Sequence, residues 1–251
     1  MMISRFFLSL VLLGVSSSSF ATDYVLQMNL PTCTSNNWSV TGNQYTCNYG
    51  IVKLAKGDTL SSAIDIQLTA DGGFQFEGNN KVGDSSATID LKASYGNFEW
   101  KNDSNNLSEL LGSFVGNSTP VNFDSVFVEG SIETGGNIEI HNSNVIGSID
   151  SKNNEVEITD SKLFGSITAS NEVVISNSGV DGDITSKNSR ITMERSEVEG
   201  KVSTKNKIVV EDSAVSGELT STDETITIEN SEVEGDVSTK NKIVIEGSQV
   251  S

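Results

Sequence analysis

One pattern of apolar and polar positions repeats along the second half of the chain. A Val or Leu stands two residues before each repeating glycine, and an Ile, Val or Leu stands two residues after it. An apolar-x-apolar pair follows, as in Ile138/Ile140 and Val156/Ile158. This period of two predicts short β-strands with one buried face, whereas a helix would need a period of 3.6. The glycines recur at alternating intervals of 17 and 18 residues: Gly130, Gly147, Gly165, Gly182, Gly200, Gly217 and Gly235.

The repeat predicts an all-β, parallel β-solenoid. Residues 196–212 (SEVEGKVSTKNKIVVED) recur 35 residues later as SEVEGDVSTKNKIVIEG, so two coils of about 17.5 residues form one double repeat. At about 3.3 Å per residue the perimeter of a coil is near 58 Å, too narrow for a lumen. Val and Ile columns therefore fill the interior. The apolar pair begins one residue later in the longer coils, which places the extra residue in a turn.

Stacked coils bring like residues into columns. The glycine column predicts close backbone approach, and a serine column near a turn runs from Ser143 to Ser248. An asparagine column suits left-handed backbone and hydrogen bonds between coils. Its members are Asn153, Asn171, Asn188, Asn206 and Asn241, with Asp223 between the last two.

The regular repeat begins near residue 107, because Leu110-x-Gly112-x-Phe114 already matches the strand around the glycine. The predicted organisation is a signal peptide at 1–21, an N-terminal β region at 22–106 and the solenoid at 107–251. Residues 22–106 are richer in aromatic residues and lack the repeat. Two interpretations remain open for them: wider, irregular coils, or a small β domain that caps the stack.

The first residues have the features of a secretory signal. Arg5 precedes an apolar run at 6–15, and Ser19-Phe20-Ala21 is a small-x-small cleavage site. An uncleaved anchor is the alternative. Export predicts the periplasm, the cell surface or the medium as location, with no membrane span after cleavage. In such an oxidising compartment Cys33 and Cys47, the two cysteines of the chain, are predicted to form a disulfide.

Composition removes several function classes. The chain of 251 residues has 16 basic and 34 acidic side chains, for a net charge of −18, which argues against nucleic-acid binding. We predict no cofactor, no metal and no catalytic residue. The single histidine, His141, is read as an exposed turn residue rather than a base. Acidic residues beside the glycine column form either a solvated face or a weak, diffuse cation site: Glu129, Asp181, Asp183, Glu199, Glu218, Glu234 and Asp236.

The run 231–245 (SEVEGDVSTKNKIVI) resembles the coils of bactofilins, polymer-forming scaffold proteins of bacteria. That resemblance implies right-handed coils, a triangular cross-section and no enzymatic activity. Bactofilins are typically cytoplasmic, so the signal peptide and the cysteine pair depart from the family. The head, with Thr32-Cys33, Cys47 to Gly50 and Lys56 to Leu60, resembles the start of MshQ-type proteins of the mannose-sensitive haemagglutinin pilus system.

Together these features predict an exported, non-enzymatic structural or adhesive protein of the bacterial surface. Its partners would be itself, other surface or pilus proteins, or glycans. The main alternative is a scaffold that polymerises end to end, because the sequence stops at Ser251, just after Val250 opens another coil. A longer natural chain explains that stop equally well. Ice binding and a polysaccharide-active β-helix enzyme are further alternatives; an enzyme of that kind needs long loops around its groove.

Overall fold

A computed structural model describes residues 21–101 and 107–251. The strands form three sheets of twelve strands each, and from Gln44–Cys47 onward the chain winds through them in turn, one strand per sheet in each coil. Neighbouring strands are parallel from the second coil onward. The predicted all-β, parallel β-solenoid is confirmed. The predicted signal peptide lies outside the described residues, apart from its last position.

Sheet 1 contains the strands that precede the repeating glycines. Its strands are Asp23–Val25, Thr59–Ser61, Lys81–Val82, Ser108–Leu111, Val126–Glu129, Asn144–Ile146, Lys162–Phe164, Gly179–Asp181, Glu197–Val198, Ala214–Val215, Glu232–Val233 and Gln249–Val250.

Sheet 2 contains the strands that follow the glycines, and it is the third side that the sequence left least defined. Its strands are Trp38–Thr41, Gln44–Cys47, Ile66–Ala70, Ile89–Ala93, Phe114–Gly116, Ile132–Thr134, Ile149–Ser151, Ile167–Ala169, Ile184–Ser186, Val202–Thr204, Leu219–Ser221 and Val237–Thr239.

Sheet 3 contains the strands with the apolar pairs. Its strands are Thr32–Cys33, Val52–Leu54, Gly73–Phe76, Asn97–Lys101, Val121–Asp124, Ile138–His141, Val156–Thr159, Val173–Ser176, Ile191–Glu194, Ile208–Glu211, Ile226–Glu229 and Ile243–Glu246.

The strand register aligns the apolar columns as the sequence predicts. Val128 pairs with Val145 in sheet 1, Ile132 with Ile149 in sheet 2, and Ile138 with Val156 in sheet 3. These side chains are buried and form one continuous core. The extra residue of the longer coils falls between sheets 2 and 3, so the strands keep their register.

Three corners connect the sheets, and we name each by its repeated residue. The glycine corner leads from sheet 1 to sheet 2, and the asparagine corner leads from sheet 2 to sheet 3. The serine corner leads from sheet 3 to sheet 1 of the next coil.

The N-terminal region continues the same three sheets in wider coils, which is the first of the two interpretations of residues 22–106. Phe74 pairs with Phe98, 24 residues later, whereas Val121 pairs with Ile138, 17 residues later. The first strands close this end differently. Trp38–Thr41 and Gln44–Cys47 form an antiparallel hairpin. Thr32–Cys33 pairs antiparallel with Val52–Leu54.

Aromatic side chains fill the larger interior of the wide coils. Phe98 is fully buried, and its ring centre lies 5.1 Å from that of Phe74, 4.9 Å from that of Phe114 and 4.7 Å from that of Phe123. Trp100 stacks beside Phe98, at 5.8 Å. Because a wider coil encloses more volume, Val and Ile alone would leave cavities there. The aromatic content of this region thus follows from its coil width.

Candidate functional site: the corners and outer faces of the solenoid

The glycine corner brings successive coils into direct backbone contact. A Cβ atom on Gly130 would lie 2.3 Å from the carbonyl oxygen of Gly112, and one on Gly147 would lie 2.3 Å from that of Gly130. The same contact recurs along the column, up to Gly217 and Gly235. Any larger residue would therefore push two coils apart. The glycine column is thus where neighbouring coils approach each other most closely in the backbone.

The serine corner contains a buried ladder of hydroxyl groups. Ser161 donates from Oγ to the carbonyl of Thr159 at 2.7 Å, within its own coil. The same Oγ accepts the N–H of Ser143, from the preceding coil, at 3.0 Å. The pattern repeats as far as Ser231, whose N–H donates to the Oγ of Ser248. Each hydroxyl thus satisfies two backbone groups that a tight corner would otherwise leave unpaired.

Left-handed backbone lies at the serine corner, immediately before the serine, and not in the asparagine column where it was expected. Positive φ values of 47° to 50° occur there at Asn142, Asp160, Asn177, Arg195, Asp212 and Asn230, and a value of 60° occurs at Ser125, which precedes Val126 in the first coil of the column. Asn153, Asn171, Asn188, Asn206 and Asn241 do not have positive φ. At the asparagine corner Asn171 donates from Nδ2 to the carbonyl of Asn153, at 3.0 Å. Hydroxyl groups of sheet 2 donate to backbone carbonyls of the preceding coil at the same corner, as Ser221 Oγ does to the carbonyl of Asn206.

The disulfide forms between Cys33 and Cys47, as predicted, with a Cα–Cα distance of 5.7 Å. It joins the first strand of sheet 3 to the hairpin that begins sheet 2. Gly50 lies against it, because a Cβ at that position would meet the Cys47 sulfur at 2.7 Å. A disulfide of this kind is typical of proteins that fold in an oxidising environment. The described residues contain no helix long and apolar enough to cross a membrane.

His141 ends a strand of sheet 3, half-exposed, between Asp124 and Thr159 of the neighbouring strands. The acidic residues beside the glycine column face outward from sheet 1 and the glycine corner. Within the described ranges no group of three or more His, Cys, Asp or Glu side chains is arranged to hold a metal ion. Asp183 instead accepts the backbone N–H of Lys201 at 2.8 Å. Glu218 accepts the Thr220 hydroxyl at 2.8 Å, and this bond lowers the pKa of Glu218, with a smaller contribution from Lys201.

Outward side chains differ among the three sheets. Sheet 2 presents hydroxyl groups in successive coils, including Thr168, Thr185, Ser203 and Thr220. The Thr185 and Ser203 hydroxyls lie 3.2 Å apart. Sheet 1 presents an apolar pair, Ile146 beside Phe164, followed by acidic side chains that include Asp181 and Glu199.

Sheet 3 carries separate acidic, β-branched and basic columns, which become apparent only when the strands are aligned.

A shallow groove of about 990 Å³ follows the serine corner over the last five coils. Its floor contains Ser196 and Ser213, and Arg195 and Asp212 stand on one wall, with Glu197 and Glu232 on the other. Both walls are polar and repeat from coil to coil.

Comparison of the chain with protein-family models, with curated proteins and with solved structures finds no match in any of the three.

Proposed function

We propose that this chain is an exported, non-enzymatic structural or adhesive protein of the bacterial cell surface, and that it displays repeated polar columns on a stiff rod. The observation that carries the proposal is the alignment of outward side chains in strict register over many coils. Such an array presents many copies of one weak contact, which suits multivalent attachment to a repetitive partner such as a glycan or a surface protein.

Short corners support the non-enzymatic part of the proposal. Within residues 125–251, coils differ in length by single residues, and each corner spans only a few residues. Sites of polysaccharide-active β-helix enzymes need longer loops that wall a groove. The disulfide between Cys33 and Cys47 supports export. The resemblance to bactofilin coils and to the head of MshQ-type pilus proteins fits a structural role, and we propose a relationship to these proteins as part of this function.

Location and attachment can be tested with one matched pair of proteins. The chain and a variant lacking residues 196–230, one complete double repeat, are both expressed with residues 1–21 intact in a bacterial host. The deletion joins Arg195 to Ser231, so every column is preserved, and the rod should shorten by about 10 Å, two strand spacings.

We expect both proteins on the surface of intact cells, with weaker binding of the shorter rod to glycan arrays or to cells. Retention of the protein in the cytoplasm would contradict export. If neither protein bound any glycan or cell surface, adhesion would be contradicted. Filaments built from many rods, seen by electron microscopy, would favour the end-to-end scaffold instead.

A further inference from the structure

The outer face of sheet 3 carries three straight columns over the last coils, and we call this the banded face. Its central column is β-branched: Val174, Thr192, Val209, Thr227 and Val244. One edge is acidic: Glu194, Glu211, Glu229 and Glu246. The other edge, one residue before each strand, is mainly basic in the last four coils: Arg190, Lys207, Thr225 and Lys242, whereas the coil of Val174 has Glu172 there.

Several charges on the banded face lack an opposite partner. Lys207 and Lys242 form no ion pair within the described part of the chain, and neither do Glu211, Glu229 and Glu246. Lys207 does not pair with Glu211 of its own coil, from which four residues of extended chain, about 13 Å, separate it. Along the acidic edge, like charges stand one strand spacing apart, about 4.8 Å, and repel each other.

We propose that a second copy of this chain packs against the banded face, with the two solenoid axes parallel. A two-fold axis along the solenoid exchanges left and right across the interface. The basic edge of one copy then lies over the acidic edge of the other. Lys207 meets Glu211 of the second copy, and Lys242 meets its Glu246. The opposite orientation, with antiparallel axes, would place Lys over Lys and Glu over Glu.

The central column suits such a contact. In the parallel arrangement Val209 faces Val209 and Val244 faces Val244, at the sheet separation of about 10 Å that packed β-sheets adopt. The charged side chains at the edges are long enough to meet around this apolar strip. Other coils contribute less, since Arg190 already pairs with Glu172, and Glu194 with Arg195.

The contact area predicts a weak, reversible dimer. Five strands at about 4.8 Å and a width of about 17 Å give roughly 400 Å² per copy. Roughly 800 Å² in total is below the size of stable complexes, about 1,200 Å² or more, and falls in the range of transient ones. This association goes beyond the proposed function, because it requires neither surface location nor adhesion.

Sedimentation of the full chain over a range of concentrations tests the contact. We expect reversible dimers that weaken in 1 M NaCl, where the Debye length is only about 3 Å. Lys207→Glu with Lys242→Glu should raise the dissociation constant at least about tenfold. Adding Glu211→Lys and Glu246→Lys should restore dimers, because both edges are then reversed. A matched control, Lys187→Glu with Lys205→Glu at the asparagine corner, should leave dimers intact.

Single cysteines on the central column test the orientation. Val174→Cys and Val244→Cys lie at opposite ends of the banded face, on its axis. Because sheets about 10 Å apart are too distant for a direct disulfide, a short bifunctional maleimide is used, and parallel rods predict that it cross-links each variant alone. Antiparallel rods predict cross-linking only when the two variants are mixed, which would overturn the proposal. Monomers at every concentration would overturn it too, as would association that is insensitive to the Lys207→Glu and Lys242→Glu pair.

Discussion

The backbone N–H of Ser196 donates a hydrogen bond to the Oγ of Ser213, in the next coil, at 2.9 Å. The same hydroxyl donates to the carbonyl of Glu211 at 2.6 Å. One side chain thus links two coils at a corner where left-handed backbone interrupts the sheet ladder. The serine ladder therefore holds neighbouring coils together at the corner, as strand pairing does in the sheets.

Ser213→Ala should lower the free energy of unfolding by about 1–3 kcal/mol, because the N–H of Ser196 loses its acceptor in a buried position. Ser216→Ala is the matched control: Ser216 is exposed immediately after the sheet 1 strand Ala214–Val215, and its loss should change stability by less than about 0.5 kcal/mol. Urea unfolding followed by circular dichroism measures both. Equal effects of the two substitutions would show that the ladder contributes nothing specific.

Sequence periodicity was sufficient to predict the regular coils, because stacking turns each repeated position into a column. The serine column was visible in the same way, but its two hydrogen bonds were not, since they depend on the corner geometry. A sequence signal for the left-handed position did exist: Asn142, Asp160 and Asn177 immediately precede serines, and Asn and Asp tolerate that backbone. Arg195 at the same position hides the pattern.

Two other features could not be read without the fold. The wide coils carry no repeat, so neither their register nor the aromatic cluster around Phe98 has a period to detect. The banded face arises only when register aligns residues 17 or 18 positions apart, such as Glu194 and Glu211. In the sequence those charges are scattered among acidic residues of other faces.

Gly200→Ala should be strongly destabilising, by about 3 kcal/mol or more, because its Cβ would lie 2.3 Å from the carbonyl oxygen of Gly182. Relief of that overlap would require two coils to separate locally. Gly179→Ala provides the control, since a Cβ on Gly179 meets no atom within 4 Å. We expect Gly179→Ala to be neutral or slightly stabilising. Thermal unfolding that ranked the two variants in the reverse order would contradict close coil contact at the glycine corner.

Phe98→Ala should destabilise the wide coils by about 3–5 kcal/mol, because it empties the centre of a buried aromatic cluster. Hydrogen exchange should show the loss of protection first in residues 66–101, the strands around the cavity. Phe164→Ala removes an aromatic ring that is 52% exposed on sheet 1, and it should change stability by less than about 0.5 kcal/mol. Loss of protection spread evenly over all coils would contradict a local role of the aromatic cluster in the wide coils.

Glu218→Gln should reduce stability slightly at pH 7, and the difference from the unmodified chain should fade as the pH falls. The Thr220 hydroxyl at 2.8 Å, and then Lys201, hold the pKa of Glu218 below its ordinary value of 4.5 in the folded chain. A carboxyl with a lowered folded pKa binds fewer protons when folded than when unfolded. Its contribution is therefore complete above pH 4.5 and is lost as the pH drops through the folded value.

Glu232→Gln serves as the control for this pH dependence. Like Glu218→Gln, it removes one negative charge. Glu232 lies on sheet 1, where it is exposed and forms no ion pair within the described ranges. Because the chain carries a net charge of −18, losing any one carboxylate relieves some repulsion, and the control measures that effect alone. Urea titrations of both variants between pH 3 and pH 7 provide the comparison, spanning about four pH units around the ordinary carboxyl pKa. If the two variants followed the same curve, the Thr220 hydrogen bond would have no stabilising role, and Glu218 would be one more solvated charge on the rod.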